Sequence, residues 1–331
     1  MKQKFENIII QYNEDKMFNL EVFMKKVLNL LLFVFLFVLF YSCTTPQSSS
    51  DGVKDKKTVN RVQGKIIDHN CININAIPES AVINAKNTLH IAYGHTSHGS
   101  QIIDGMNGLD TFMGGTGLYI WHDGPASGYL DLDNNFVAGD LGNPDRTTWA
   151  SRTREYLNNS SNADVNVVIW SWCGQVASRT EDTMRTTYLE PMAQLEEDYP
   201  GVTFIYMTGH LNGTGVSGNL NQRNEQIREY CRNNNKWLYD FADIESYDPD
   251  GNYYLDRYAT DACNYDFDNS GVTSQTGDPA EPTGDDRNWA TDWQNVHPGK
   301  WYNCGSAHSK PLNANMKAYS AWWLWASIAG W

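Results

Sequence analysis

The chain has 331 residues, which is long enough for one large domain or two small ones. Its 39 Asp and Glu residues outnumber its 25 Lys and Arg residues, giving a formal net charge of −14. This balance argues against a nucleic-acid-binding protein, because such binding depends on basic side chains that neutralise phosphates. It also disfavours other polyanionic substrates.

The first 42 residues have the pattern of a bacterial lipoprotein signal. A basic start at 24–26 leads into a nearly unbroken apolar run over 27–41, and Cys43 follows. A run of about 15 residues is short for a membrane span. We predict translation from Met24, with Met17 as the alternative start, a signal segment over 1–42, lipidation of Cys43 and a linker over 43–60. An uncleaved N-terminal anchor is the alternative. Both place the domain in the bacterial cell envelope, periplasmic or on the cell surface, with a membrane as partner.

Strand and helix patterns alternate through the predicted single domain over 61–331. Apolar runs predict strands, and 3.6-residue periodicity with caps and breakers predicts helices. The predicted strands are 89–93, 164–170, 202–207 and 237–241. The predicted helices are 78–86, 101–113, 145–158, 181–199, 221–234 and 312–328. This alternation predicts an α/β fold with a parallel, doubly wound sheet.

Two segments rich in Gly, Asp and Asn are predicted to be insertions, at 114–144 and 245–300. Long connections without regular structure are usually functional or mobile. Trp121 and His122 lie in the first insertion and are candidates to line a substrate cleft.

The second insertion contains a pattern similar to the first half of a calcium loop. Asp266, Asp268 and Ser270 supply oxygen ligands at alternate positions, and Gly271 follows at the turn. Position twelve is Gly277 instead of the usual glutamate. We predict either a structural calcium site or a solvated turn.

Five cysteines remain after lipidation of Cys43, and outside the cytoplasm some of them are expected to pair. The odd number leaves one free. Cys263 and Cys304, which bracket a long loop, form the preferred pair.

Small or polar residues follow three predicted strands, and a histidine precedes the last helix. Because the carboxyl ends of parallel strands lie at one edge of a sheet, we expect Ser97, Gly174, Asn212 and His308 to converge there. These are the parts of acyl transfer: Ser97 attacks and His308 takes its proton. The N–H groups of Ser97 and Gly174 and the amide of Asn212 stabilise the oxyanion.

In this order and context the four residues resemble the SGNH (GDSL-like) hydrolase superfamily, over roughly residues 87–331 without the insertions. The resemblance implies a three-layer α/β/α sandwich with a flavodoxin-like sheet, and serine-dependent ester hydrolysis, often deacetylation of carbohydrates. Ser97 follows Gly-His-Thr here, where the family has Gly-Asp-Ser. The usual position of the triad acid is Gly305, which leaves Asp292 or a Ser–His dyad as alternatives.

The remaining polar and aromatic residues at the strand ends are assigned to the same cleft. We expect His95, His98 and His210 to surround the reacting groups, and Trp172 and Gln175 to contact substrate. The favoured function is an extracytoplasmic esterase, without an obligatory cofactor, acting on an acylated glycan or small ester. The alternatives are a non-catalytic carbohydrate-binding lipoprotein and a hydrolase whose metal is bound by the surplus histidines.

Overall fold

A computed structural model describes residues 64–331. The predicted signal segment, the Met24 start, Cys43 and the linker to residue 60 lie outside these residues. Within 64–331, no helix combines the length and the apolar character needed to cross a bilayer.

Seven strands form one sheet in which every neighbouring pair is parallel, as predicted. Their order across the sheet is β1-β7-β6-β5-β2-β4-β3. The strands are β1 Ile66–Ile67, β2 His90–Gly94, β3 Trp121–His122, β4 Leu130–Asn134, β5 Val167–Trp170, β6 Thr203–Met207 and β7 Trp237–Tyr239.

Helices cover the sheet in two layers, which gives the predicted α/β/α sandwich. The helices are α1 Glu79–Thr88, α2 Ser100–Phe112, α3 Thr148–Asn158, α4 Glu181–Met184, α5 Glu190–Asp198, α6 Asn219–Asn233, α7 Phe241–Glu245, α8 Trp289–Val296 and α9 Pro311–Ile328. A π-helical stretch, Arg185–Leu189, joins α4 to α5. One layer packs α9 on α1 and α2, and the other packs α3 on α5 and α4 on α6.

The order β4-β2-β5-β6-β7 within this sheet is the flavodoxin-like order, with β1 and β3 added at the edges. The segment 114–144 was expected to be an insertion outside the sheet. It instead supplies β3 and β4. β4 is difficult to recognise in the sequence, because its acidic residues alternate with apolar ones and give it the composition of a polar loop. The segment 245–300 carries two short antiparallel pairs: β8 Asn264–Tyr265 with β11 Arg287–Asn288, and β9 Gln275–Thr276 with β10 Glu281–Pro282.

The core lies between the helices and both faces of the sheet. All four residues of β5 are buried, as expected for a central parallel strand covered on both faces. Helix α9 is buried around almost its whole circumference, and Trp322 and Trp325 are at most 1 % exposed. The tryptophan-rich end of the chain is therefore core.

The last residue of β2 must be a glycine for a packing reason. Gly94 pairs with Trp170 on β5, and a Cβ on Gly94 would lie 2.3 Å from the indole ring of Trp170. Glycine therefore allows the Trp170 ring to cover the strand end where the polar loop begins.

All five cysteines between residues 64 and 331 are free, so the preferred Cys263–Cys304 disulfide is wrong. Cys263 is buried, and its Sγ lies 3.4 Å from Ser309 Oγ. Cys304 Sγ instead faces Asn315 Nδ2 at 3.3 Å. Each thiol therefore contacts a different polar side chain instead of the other cysteine.

Candidate active site

The candidate site lies at the switch point of the sheet, between β2 and β5. These strands are neighbours, and the helices that follow them belong to opposite layers. Open α/β sheets hold ligands at this point, beyond the carboxyl ends of the strands. The chain leaves β2 through a 3₁₀ turn, Ser97–Gly99, and the segments that leave β5 and β6 lie beside it. They bring His98, Cys173 and His210 to one edge of the sheet.

Cys173, His98 and Asp261 form a hydrogen-bonded triad. His98 Nδ1 lies 3.3 Å from Cys173 Sγ, and His98 Nε2 lies 2.8 Å from Asp261 Oδ2. His98 is buried, whereas Cys173 is half-buried. A nucleophile held by a base, which is in turn oriented by an acid, is the arrangement that activates weak nucleophiles in acyl transfer.

The surroundings of the triad favour a thiolate opposite an imidazolium. Burial opposes the charge on His98, but its hydrogen bonds to Asp261 and Cys173 outweigh this and raise the pKa of His98 to about 9. The hydrogen bond from His98 lowers the pKa of the Cys173 thiol, although burial opposes this shift. Cysteines that are partly exposed and have a lowered pKa are the reactive ones.

Two further imidazoles stack on His98. His210 lies parallel to it, with ring centroids 3.6 Å apart and an interplanar angle of 1°. His308 also stacks on His98, with centroids 4.6 Å apart. Burial and the charge of His98 lower the pKa of His210 to about 4, so this ring is neutral at pH 7. A neutral ring can lie flat against the His98 imidazolium without charge repulsion.

The proton of His210 is placed by its neighbours. His210 Nδ1 lies 2.8 Å from the carbonyl oxygen of Leu211, so in the neutral ring this nitrogen donates and Nε2 carries the lone pair. Nε2 is buried without a hydrogen-bond partner among the described residues. It points toward Gly174, where a Cβ would lie 4.0 Å away. The second imidazole thus faces the same loop as the nucleophile.

His98, His210 and Asp261 also form a group of ligand atoms lying within 4.8 Å of one another. An ion at a zinc–nitrogen distance of about 2.0–2.1 Å from two rings stacked 3.6 Å apart would lie about 1.8 Å out of both ring planes. The lone pairs of an imidazole lie in the ring plane. The stacked arrangement therefore suits a hydrogen-bonded triad better than shared metal ligation.

The two residues predicted to form a nucleophile–base pair do not pair with each other. Ser97 is exposed at the start of the 3₁₀ turn. Among the hydrogen bonds of residues 64–331, none joins Ser97 to His308. His308 Nδ1 instead lies 2.9 Å from Asp278 Oδ1. His308 reaches the site only through its ring contact with His98.

The three residues predicted to supply oxyanion donors, Ser97, Gly174 and Asn212, are all exposed. Gly174 directly follows Cys173, so its N–H is next to the nucleophile. The backbone of Asn212 pairs with Thr260, which precedes Asp261. The Asn212 side chain accepts hydrogen bonds from the N–H and hydroxyl of Thr214. Their role in stabilising an oxyanion stays a prediction.

Three other residues assigned to the cleft hold the loops in place. Gln175 Oε1 accepts a hydrogen bond from the Cys173 N–H at 3.0 Å, and Trp172 Nε1 donates to the carbonyl of Met207 at 2.9 Å. His95 Nε2 lies 2.8 Å from Oδ1 of Asn134, the last residue of β4. These contacts position the nucleophile loop and the turn after β2. The predicted substrate contacts of Trp172 and Gln175 stay predictions.

The structure does not bring Trp121 and His122 to the triad. They form β3, the edge strand, and His122 pairs with Asp131, which pairs in turn with His90. His90 is the first residue of β2, four residues before Gly94 and thus about 13 Å from the carboxyl edge. The prediction that these two residues line a substrate cleft assumed a long loop, and the chain forms a strand there instead.

The calcium-like segment folds as a turn whose carboxylates accept hydrogen bonds from backbone N–H groups. Asp266 accepts from Ser270 and Gly271, and Asp268 accepts from Ser270. Asp286 joins Asp266 and Asp268 in a group of carboxylate oxygens within 4.8 Å of one another. Calcium binding by this segment stays a prediction.

Neither Cys173 nor Asp261 is predicted from the sequence as a site residue, although both form hydrogen bonds with His98. Beside Trp172 and Gly174, Cys173 has the sequence context of an inert packing residue or a disulfide partner. The segment Ser171–Gln175 was placed correctly at a strand end, and a cysteine at that position was a detectable signal. Asp261 carries no local signal, because it lies in the long segment after α7 and reaches the site only through the fold.

No protein-family model matches the chain, and no curated protein or solved structure matches it either.

Proposed function

We propose that this protein is a hydrolase that transfers an acyl group through Cys173, with His98 as its base and acid and Asp261 as the residue that orients His98. The single observation that carries this proposal is the continuous hydrogen-bonded set from Cys173 Sγ through His98 to Asp261 Oδ2. Its location at the switch point of the sheet supports the same conclusion. Cys173 replaces the predicted Ser97 as the nucleophile.

The reaction follows from the protonation of the pair. The Cys173 thiolate attacks the carbonyl carbon of an ester or amide and forms a carbon–sulfur bond, while the carbonyl oxygen becomes an oxyanion beside the Gly174 N–H. Collapse of this intermediate breaks the bond to the leaving group, which takes a proton from His98. Neutral His98 then removes a proton from water, which attacks the thioester and releases the acid and the thiolate.

The substrate we propose is an acylated glycan or a small ester, processed in the bacterial cell envelope by a lipid-anchored protein. The hydrogen-bonded set of Cys173, His98 and Asp261 supports acyl transfer, which includes ester hydrolysis, as the reaction class. The net charge of −14 supports an uncharged substrate over a polyanion.

A metal-dependent hydrolase is the second candidate, because His98, His210 and Asp261 present ligand atoms within 4.8 Å. Removal of the metal by a chelator would abolish activity in this mechanism, whereas the thiol mechanism is insensitive to chelators. The stacked imidazoles favour the thiol mechanism.

The test compares three variants of the full-length chain. Hydrolysis of p-nitrophenyl acetate and release of acetate from acetylated xylan are measured for the wild type, Cys173→Ala, Ser97→Ala and Cys231→Ala, each with and without EDTA. Cys231 is a buried cysteine outside the triad and serves as the matched control. We expect Cys173→Ala to lose activity at least 10³-fold, and Cys231→Ala to retain it.

Three outcomes would overturn the thiol mechanism. Loss of activity in Ser97→Ala with retention in Cys173→Ala would restore the serine mechanism. Loss on addition of EDTA would favour the metal site. If wild type and Cys173→Ala were equally inactive on both substrates while iodoacetamide failed to label Cys173 preferentially, the protein would be a binding protein.

A further inference from the structure

A second cluster of charged side chains lies at the amino-terminal end of the sheet, away from the triad. His90 is the first residue of β2, and its partner in the neighbouring strand is Asp131. Asp133 follows two residues later on β4, so its side chain leaves the same face as that of Asp131. His90 Nε2 lies 3.7 Å from Asp131 Oδ1 and 3.0 Å from Asp133 Oδ2.

We propose that His90, Asp131 and Asp133 bind a divalent transition metal ion such as Zn²⁺. Ligands that each lie about 2.0–2.2 Å from one ion are separated by roughly 2.8–3.6 Å in tetrahedral or octahedral sites. The separations of 3.0 Å and 3.7 Å nearly match this range. One imidazole nitrogen and two carboxylate oxygens are ligands that bind divalent ions of intermediate hardness, such as Zn²⁺.

The surroundings supply the outer contacts that metal ligands require. His90 Nδ1, the nitrogen that would not bind the ion, lies 3.2 Å from Asp164 Oδ2, although this contact does not have hydrogen-bond geometry. A carboxylate near the second imidazole nitrogen is a feature of known metal sites. On the other side, the hydroxyl of Tyr156 donates a hydrogen bond to Asp133 Oδ2. Asp133 therefore has an outer hydrogen-bond partner, and His90 has a carboxylate close to its second nitrogen.

An unsatisfied buried atom points to a ligand at this place. Asp131 Oδ1 is buried and has no hydrogen-bond partner among the described residues, since His90 Nε2 at 3.7 Å is too far away to donate to it. An orphaned carboxylate oxygen is costly unless a cation or a donor compensates it. Asp131 and His90 line a cavity of about 510 Å³ that also contains Asp164, so solvent and ions can reach the cluster.

The charges of the cluster are not balanced by protein groups. Three carboxylates surround His90, so two negative charges remain among these four residues even when His90 is protonated; the exposed His122 is the strand neighbour of Asp131. Lys86 is the other basic residue in the cavity wall, but its Nζ donates to the carbonyls of Gly117 and Leu118. A divalent cation would neutralise the excess.

The experiment measures Zn²⁺ binding to the full-length chain after removal of bound metal, by isothermal titration calorimetry and with Co²⁺ as a spectroscopic probe. Other groups of possible metal ligands, among them His98, His210 and Asp261, could also bind Zn²⁺, so variants are needed to assign the binding to one site. We expect His90→Gln and Asp131→Asn each to weaken binding at one site at least 100-fold and to remove the corresponding Co²⁺ absorption. Asp164→Asn should weaken it 10–100-fold, because outer partners of ligands have effects of this size.

Asp285→Asn is the matched control, since Asp285 is exposed and the substitution changes the charge equally. It should bind as the wild type does. Asp164 is 73 % exposed, so its variant is expected to fold even where substitution of Asp131 disturbs the strand. The proposal is overturned if the wild type binds no Zn²⁺ or Co²⁺. It is equally overturned if Asp164→Asn and His90→Gln give the wild-type isotherm.

Discussion

At the scale of single residues, the His98–Cys173 pair determines the pH range in which the proposed reaction runs. The reactive state has a thiolate and a protonated imidazole. The hydrogen bond to His98 puts the pKa of Cys173 below the usual 9.0, and His98 keeps its proton up to a pKa of about 9. The two groups titrate as a pair, so a bell-shaped dependence of kcat/KM on pH is expected, with its basic limb near 9.

Asp261→Asn tests the origin of that basic limb. Asparagine removes the carboxylate that stabilises the His98 imidazolium, so the pKa of His98 should decrease and the basic limb should move to lower pH. The rate should decrease by about 10²–10⁴-fold. The measurement is kcat/KM from pH 5 to 10 for the wild type and the variant. A basic limb at the same pH in both proteins would show that Asp261 does not orient or charge His98.

At the scale of elements, the end of β2 depends on close packing that only glycine allows. A Cβ at Gly94 would lie 2.3 Å from the ring of Trp170, which is fully buried and cannot move aside freely. We expect Gly94→Ala to decrease the free energy of unfolding by about 1–3 kcal/mol, the usual cost of overpacking. Urea unfolding followed by tryptophan fluorescence measures this change.

Gly201→Ala is the control for that substitution. Gly201 lies in a surface turn, and a Cβ there would meet no atom within 4 Å. Its free energy of unfolding should stay within about 0.5 kcal/mol of the wild type. Equal stability of the two variants would mean that the Trp170 ring adapts to a larger neighbour.

The elements could be predicted where one residue pattern dominates. The apolar runs at 164–170 and 202–207 contain β5 and β6, and the periodic segment at 181–199 contains α4 and α5. Asp145 was expected to start a helix, and it does accept hydrogen bonds from Thr147 and Thr148, although α3 itself begins at Thr148. β4 was missed, because its Asp131 and Asp133 give it the composition of a loop.

At the scale of the whole molecule, the candidate site combines residues that are far apart in sequence. His98, Cys173 and Asp261 come from three connections, and only the parallel sheet brings their ends together. The sequence indicated the edge of the sheet correctly, because Ser97, Gly174 and Asn212 follow strands that were predicted. It could not indicate which side chains meet, since the direction of each side chain depends on the turn that carries it. Ser97 and His98 are adjacent, yet one is exposed and the other is buried.

A buried ion pair connects the last helix to the same site. Lys317 of α9 and Glu245 of α7 are both fully buried, with Nζ and Oε1 2.5 Å apart. Burial raises the pKa of Glu245 and lowers that of Lys317, and each charge offsets this effect on the other. Glu245 Oε2 also accepts a hydrogen bond from the N–H of Leu211, next to His210. The pair therefore ties α9 and α7 to the segment that carries the second imidazole.

Lys317→Met should decrease the free energy of unfolding by about 3–5 kcal/mol, because it leaves the Glu245 carboxylate buried without its partner. Lys300→Met, at an exposed lysine, is the control and should change it by less than about 0.5 kcal/mol. The double variant Lys317→Met with Glu245→Gln separates two causes. If the loss arises from the unpaired charge, the double variant should be more stable than Lys317→Met, since the glutamine can still accept from Leu211. If the loss arises from packing around α9, the losses of stability caused by Lys317→Met and by Glu245→Gln should add in the double variant. The ion pair would then have no specific role in holding the site.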